Sequence, residues 1–176
     1  MKKLIILSIL MAMFFSVCGC GFVTDIWQDD DERLKYFDPN LADIATDAES
    51  LSNWVNDNTR GVSDSTKWGI PEYWQHPQLT MEDGTGDCED HVILFMYLMY
   101  YYFDVKCSLL AMDYWGDGLH AVSYYDGYYY DPTLMYDKQS GEDWIIIDSI
   151  SFDTVMMYVR GASILADTPS PYILDW

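Results

Sequence analysis

The chain has 176 residues, with 29 acidic side chains against 9 basic ones, a net charge of −20 and 50% apolar residues. That balance excludes nucleic-acid binding through a basic surface and repels anionic lipid, while it tolerates a cationic partner or divalent ions. The same acidity keeps an exported protein soluble.

The amino terminus reads Met1-Lys2-Lys3, an apolar run from Leu4 to Val17, then Cys18-Gly19-Cys20. A charged start, an apolar stretch and a small residue before a cysteine make a secretory signal of the bacterial lipoprotein kind. Residues 1–19 are then the signal peptide and Cys20 the lipidated first residue. Cys18 is the weaker candidate because Val17 precedes it. The remaining alternatives are an ordinary cleaved signal and an uncleaved anchor. Cleavage removes Lys2 and Lys3 and no acid, so contact with a membrane comes from the lipid and not from a basic patch. The expected location is the cell envelope, outside the cytoplasm.

Residues 20–37 contain Asp29-Asp30-Asp31-Glu32 and read as an acidic tether. No glycine-containing loop with calcium-ligand spacing follows these acids. One domain is expected over residues 38–176. Asp38-Pro39 opens it as a cap with proline at the first helical position. Leu41, Ile44, Ala45, Ala48, Leu51 and Val55 recur at helical spacing, which predicts one amphipathic helix to about Asn56. Residues 57–87, rich in Gly, Pro, Asp, Ser and Thr, read as a long irregular connection of the sort that is functional or wraps a core. Inside it, Tyr73-Trp74-Gln75-His76-Pro77 offers an aromatic wall for a cleft, and Trp74 or Gln75 as an oxyanion donor; packing of Trp74 and Pro77 onto the next helix is the alternative. His76, before a proline, is expected extended and exposed.

The stretch that organises the chain is Gly86-Asp87-Cys88-Glu89-Asp90-His91, followed by the apolar run Val92 to Tyr100. Gly86 permits a sharp turn into a helix, and Asp87 or Thr85 caps it. Cys88 then stands at the first helical position, where the helix dipole favours a thiolate. The run is apolar nearly all round, as in a buried helix, and too short for a membrane span. A helix over 88–103 separates its ends by roughly 22 Å, which keeps Cys88 from pairing with Cys107. Both thiols are expected free, with Cys107 a small buried apolar group in a strand.

Strands follow at Lys106 to Met112, Leu119 to Tyr125 and Tyr128 to Asp131, the last two joined by Asp126-Gly127, a hairpin signal. A two-residue turn pairs Tyr125 with Tyr128 and Val122 with Asp131. His120 then shares a face with Asp131, diagonally across the ladder. Pro132 ends that strand. Trp144 to Ile147 reads as a strand, Ser151 to Tyr158 as helix or strand, and the end from Asp167 as loop.

Cys88, His120 and Asp131 supply the three roles of thiol catalysis: a nucleophile, a base that carries its proton, and an acid that orients the base. His91, one turn after Cys88, is a rival base without an evident orienting acid; local packing or hydrogen bonding is its bland role.

The block Gly86-Asp87-Cys88-Glu89-Asp90-His91, with Tyr73-Trp74-Gln75-His76-Pro77 upstream and His120-Ala121-Val122 downstream, resembles the bacterial transglutaminase-like cysteine proteinases of the wider transglutaminase-like, papain-like superfamily. The resemblance covers roughly residues 38 to 135. It implies an α+β fold, with a central helix bearing the cysteine packed on an antiparallel sheet bearing the histidine and the acid. It implies Cys88 as nucleophile, His120 as general base and acid, Asp131 as orienting carboxylate, and the Cys88 amide in the oxyanion hole. Acyl transfer through a thioester follows, to water in a peptidase or amidase or to an amine in a cross-linking enzyme. Leu79 and Leu119 depart from the family pattern, which often has an acid and a glycine there. No cofactor is expected, except that some relatives bind calcium through acids flanking the cysteine, here Asp87 and Glu89; helix capping is their alternative role. The expected partner is a protein or peptide substrate. The rival reading is a non-catalytic surface module that keeps this fold and binds protein or glycan through its tyrosines.

Overall fold

The computed structural model describes residues 41–113, 119–134, 136–139 and 144–164. The signal peptide, Cys20, the tether, the cap at Asp38-Pro39 and the end from Asp167 lie outside the described residues. In chain order the elements are α1 (Leu41–Ile44), α2 (Ala48–Asn58), β1 (Arg60–Gly61), α3 (Asp64–Lys67), α4 (Pro77–Asp83), β2 (Thr85–Gly86) and α5 (Cys88–Phe103). Then come β3 (Ser108–Asp113), β4 (Leu119–Tyr125), β5 (Tyr128–Asp131), β6 (Tyr136–Gln139), β7 (Ile145–Ser151) and α6 (Phe152–Ile164).

The single amphipathic helix expected up to Asn56 is in fact two. Asp47 takes a β conformation and accepts a 2.8 Å bond from the Ser50 N–H, while Ser50 Oγ accepts from the Asp47 N–H at 3.0 Å. This reciprocal cap starts a new helix where hydrophobic spacing alone would continue the old one. Helix α2 buries Leu51 and Val55. Its Asn56 Nδ2 donates to the Pro132 carbonyl at 3.2 Å, tying α2 to the end of β5.

Helix α5 runs from Cys88 to Phe103, as its apolar run predicts, and residues 92–96 have no exposed surface. It ends at Asp104, whose left-handed backbone (φ 55°) lets the Asp104 and Val105 amides close on Tyr100 and Met99. Strands β6-β5-β4-β3-β7 form one antiparallel sheet in that order. The β4–β5 hairpin has the expected register, Tyr125 opposite Tyr128, and both turn residues, Asp126 and Gly127, have positive φ (49° and 83°). That is the turn whose twist matches the strands it joins. The sheet packs on α5 with Phe95 stacked on Tyr130 at 5.6 Å. Helix α6 resolves the ambiguity at Ser151 to Tyr158 in favour of helix from Phe152. Its Phe152 meets Tyr100 of α5 at 4.8 Å, and its Tyr158 stands edge-on to Trp74 at 6.0 Å. Strand β7 is an outer strand of the sheet and exposes Ile145, Ile146 and Ile147 (63%, 46% and 52%).

The connection over 57–87 is ordered rather than irregular. β1 pairs in parallel with β2, Arg60 with Thr85 and Gly61 with Gly86, so the segment loops out and returns to the start of α5. Lys67 holds it closed: its Nζ reaches Gln75 Oε1 (2.7 Å), the Thr85 carbonyl (3.0 Å) and Asp83 Oδ2 (3.0 Å). His76 caps α4, its Nδ1 accepting from the Gln78 N–H at 3.3 Å, and is half-buried rather than exposed.

Gly86 matters here for closeness rather than for turning, since its φ is not positive. A Cβ at this position would lie 2.5 Å from the Asp90 Cβ and 3.0 Å from Gln75 Nε2. Gly86→Ala is therefore expected to lower stability by about 1–3 kcal/mol in urea denaturation. Gly61→Ala, at the residue paired with Gly86 across β1 and β2 and with nothing within 4 Å of the added carbon, serves as the mild comparison.

Candidate active site

Each of the three groups expected to act together is delivered by a different element. Cys88 begins α5; His120 lies near the start of β4; Asp131 ends β5. The Asp131 carboxylate is buried and fully used: Oδ1 accepts from the Thr133 and Leu134 amides at 3.0 and 3.2 Å, and Oδ2 lies 2.7 Å from His120 Nε2. Cys88 lies within electrostatic reach of His120, and its Sγ donates to Glu89 Oε2 at 3.3 Å. With Nε2 held by Asp131, Nδ1 is the ring nitrogen left for the sulfur. Burial disfavours a charged His120, but the bond to Asp131 and the charges of Asp131 and Cys88 outweigh it and raise its pKa to about 10. The ring is accordingly an imidazolium at neutral pH.

These groups open on a cleft of about 190 Å³. Cys88, Asp87, Glu89 and His120 line it, with Leu109, Ala111, Leu119 and Ala121 as its apolar side chains and Glu72 and Trp74 completing the lining. Trp74 thus forms the aromatic wall, braced from behind by Tyr158. The oxyanion-donor role read for Trp74 and Gln75 does not fit their contacts. The Trp74 Nε1 already donates to Glu72 Oε1 at 3.0 Å. Gln75 is fully buried and absent from the cleft wall; its amide donates to Asp90 Oδ2 and to the Thr85 carbonyl, and its oxygen accepts from Lys67.

His91 is buried (2% exposed), and neither ring nitrogen has a hydrogen-bond partner among the described residues. Burial lowers its pKa to about 4 against the charges of Asp87 and Asp131. It stays neutral and packs, so of its two bland roles only packing is realised. Cys88 and Cys107 are both free. Cys107 is buried, and burial pushes its thiol up to about 11.

Around Cys88 the acids crowd. Asp64, Asp87 and Glu89 each place a carboxylate oxygen within 4.8 Å of the others. One oxygen of each, Asp64 Oδ1, Asp87 Oδ1 and Glu89 Oε1, is buried without a partner. Burial and the charge of Asp87 raise the pKa of Asp64 to about 7. Burial first, then its bond to Asp87 and the neighbouring charges, raise that of Glu89 well above the ordinary carboxylate range. Three inward-facing oxygens without donors suit a hard divalent cation, for which carboxylate oxygens are the preferred ligands. Asp87 and Glu89 are the two acids that the family resemblance implies as calcium ligands. Asp64 is not among them: it belongs to the segment read as irregular, and only the β1–β2 pairing brings it to the start of α5.

No family model matches the chain, and no curated protein does. Among solved structures it is similar to Legionella pneumophila LapG, at 18% identity and a TM-score of 0.53, covering 69% of this chain and 77% of that one. The chain has the transglutaminase-like fold. Two further LapG structures, one EGTA-treated and one calcium-bound, match at 21% identity, each with a TM-score of 0.48 over 58% of this chain and 61% and 62% of theirs. No helix among the described residues is long and apolar enough to cross a membrane.

Calcium is expected to raise the melting temperature and EGTA to reverse the rise, measured by thermal denaturation. Calcium at a hundred times its dissociation constant adds about 2.7 kcal/mol. Asp64→Asn should abolish most of that response, since it removes a charged oxygen from the cluster.

Proposed function

We propose that this chain is an exported, lipid-anchored thiol acyl-transfer enzyme, a cysteine peptidase or amidase acting on peptide or isopeptide bonds. The observation that supports the reading is the 2.7 Å pairing of Asp131 with His120, together with the place of His120 and Cys88 in the wall of one cleft. Asp131 fixes the imidazole; His120 takes the thiol proton and later returns it; Cys88 attacks. The sulfur adds to the substrate carbonyl, and the oxyanion that forms faces the backbone N–H of Cys88, one of the unpaired amides at the start of α5. His120 then protonates the leaving amine, the carbon–nitrogen bond breaks, and a thioester remains. Water, deprotonated by His120, releases the acid and restores the thiol. An amine in place of water would give a cross-link, with the same three residues.

Asp64, Asp87 and Glu89 are the residues that would hold a divalent cation, of which calcium is the best chemical match. Bound there, it supplies charge neutralisation among crowded carboxylates. Attachment to the membrane is assigned to lipid on Cys20, and the substrate is assigned to protein or peptide.

Incubating candidate envelope proteins with the chain and with Cys88→Ala, followed by mass spectrometry, tests the reading: cleavage or amide loss should occur with the first and vanish with the second. Absence of either product with the intact chain would refute it. Asp131→Asn should lower kcat by about 10²–10⁴-fold. The pH dependence has a definite sign. The proton that the leaving amine needs is present on His120 below about 10 and lost above it, so kcat/KM should hold through neutral pH and fall as pH passes that value. Asp131→Asn should shift this alkaline limb to lower pH. The same raised pKa makes the His120–Asp131 pair fully stabilising below the ordinary histidine value of about 6.5. That stability is lost as pH rises through about 10.

A further inference from the structure

The cleft contains one acid that neither the three acting groups nor the cation cluster uses. Glu72 lines the same cleft as Cys88 and accepts through Oε1 from the Trp74 indole N–H at 3.0 Å. Its other oxygen has no hydrogen-bond partner among the described residues, and it is not sealed from the cleft. The indole lies beside it in the same wall, 6% exposed and held edge-on by Tyr158. A carboxylate oxygen next to an aromatic ring is the pairing that binds an ammonium or guanidinium group, through charge and through the ring face.

The charge around the cleft points the same way. Its lining carries Glu72, Asp87 and Glu89 against one basic group, His120. Asp64, Asp87 and Glu89 carry one more negative charge than a divalent cation cancels, so the cleft remains acidic with the cation in place. Glu72 adds to that excess. An anionic substrate would therefore meet repulsion at the mouth and again at the wall. The remaining lining side chains, Leu109, Ala111, Leu119 and Ala121, are apolar.

We infer that Glu72, backed by the indole of Trp74, is a specificity-determining subsite for a lysine or arginine side chain next to the bond that is broken. The inference rests on the acyl-transfer reading of Cys88 for its meaning, but its physical content is a cation site beside that sulfur. Glu72 selects the substrate and orients it; it takes no part in bond making.

Two thiol reagents of opposite charge test the site without a known substrate. 2-Aminoethyl and 2-sulfonatoethyl methanethiosulfonate react alike: the cysteine sulfur attacks the sulfenyl sulfur, a disulfide forms, and methanesulfinate leaves. The rate of each at Cys88 is followed by mass spectrometry of the Cys88 peptide, in calcium and in EGTA. The cationic reagent should be favoured by the intact chain, and Glu72→Gln should lower the ratio of the two rates about five-fold or more. Glu72→Asp should keep the preference and Glu72→Lys should invert it. Taking the ratio within each variant cancels any change in thiol access. A ratio that Glu72→Gln leaves within about two-fold of its original value would overturn the site.

The second measurement is hydrolysis of a peptide library that carries either Lys or Glu at each position, by the intact chain. A higher kcat/KM for Lys beside the cleaved bond is expected, with the Lys-to-Glu ratio collapsing in Glu72→Gln. Equal cleavage of both series refutes the subsite and leaves the peptidase reading standing. Cleavage of neither, by a chain whose Cys88 distinguishes the two reagents through Glu72, refutes the peptidase reading and leaves the cation site standing.

Discussion

The buried carboxylate of Asp90 is the constraint on which the rest of the site depends. It has no exposed surface, and it accepts from the Gln75 backbone N–H at 2.8 Å, from the Gln75 side-chain amide and from the Asp87 N–H at 3.3 Å. Burial and the charge of Asp87 push its pKa up, while the two Gln75 donors pull it down. A buried acceptor satisfied this fully is costly to disturb, because removing any partner leaves charge without a donor. Gln75 follows Trp74 directly, and Asp90 lies two residues after Cys88. One side chain therefore sets the distance between the aromatic wall of the cleft and its sulfur. Gly86 is small because these two segments meet across it.

Where local chemistry decides structure, the sequence was readable. The apolar run after Cys88 gave α5 its limits, and Asp126-Gly127 gave the β4–β5 hairpin its register, from which the meeting of His120 and Asp131 follows. Where a cap competes with a hydrophobic repeat, spacing misled: Asp47 and Ser50 break a helix that Leu41 to Val55 would otherwise continue. Contacts between remote segments carried no signal at all. Nothing in the spacing of Asp64 links it to Asp87, and nothing in Trp74 or Gln75 tells that their donors are already taken by Glu72, Asp90 and Thr85. The place of Asp64 among the acids and the loss of both oxyanion candidates are properties of the folded chain alone.

The electrostatics of the site run against the usual expectation that buried acids are paired with bases. Asp64 and Glu89 are nearly sealed from solvent, and each keeps an oxygen without a donor. The one lysine close by, Lys67, is engaged with Gln75, Thr85 and Asp83. Unpaired buried carboxylates destabilise a fold unless something cationic joins them. His120 is protonated under the same influence, since Asp131 and Cys88 surround it with negative charge.

The three exposed isoleucines at the outer border of the sheet bear on how the molecule behaves in solution. Among the described residues β7 has no neighbouring strand on one side of its backbone, and Ile145 to Ile147 are exposed. Such a border invites a second chain to extend the sheet. What holds copies apart is mutual repulsion between bodies that each carry a charge of −20. That repulsion reaches only about 10 Å in 0.1 M salt and shortens further as salt is added. Colloidal stability of this protein is consequently a matter of ionic strength, and concentrated brine or mild acid is where it will clump.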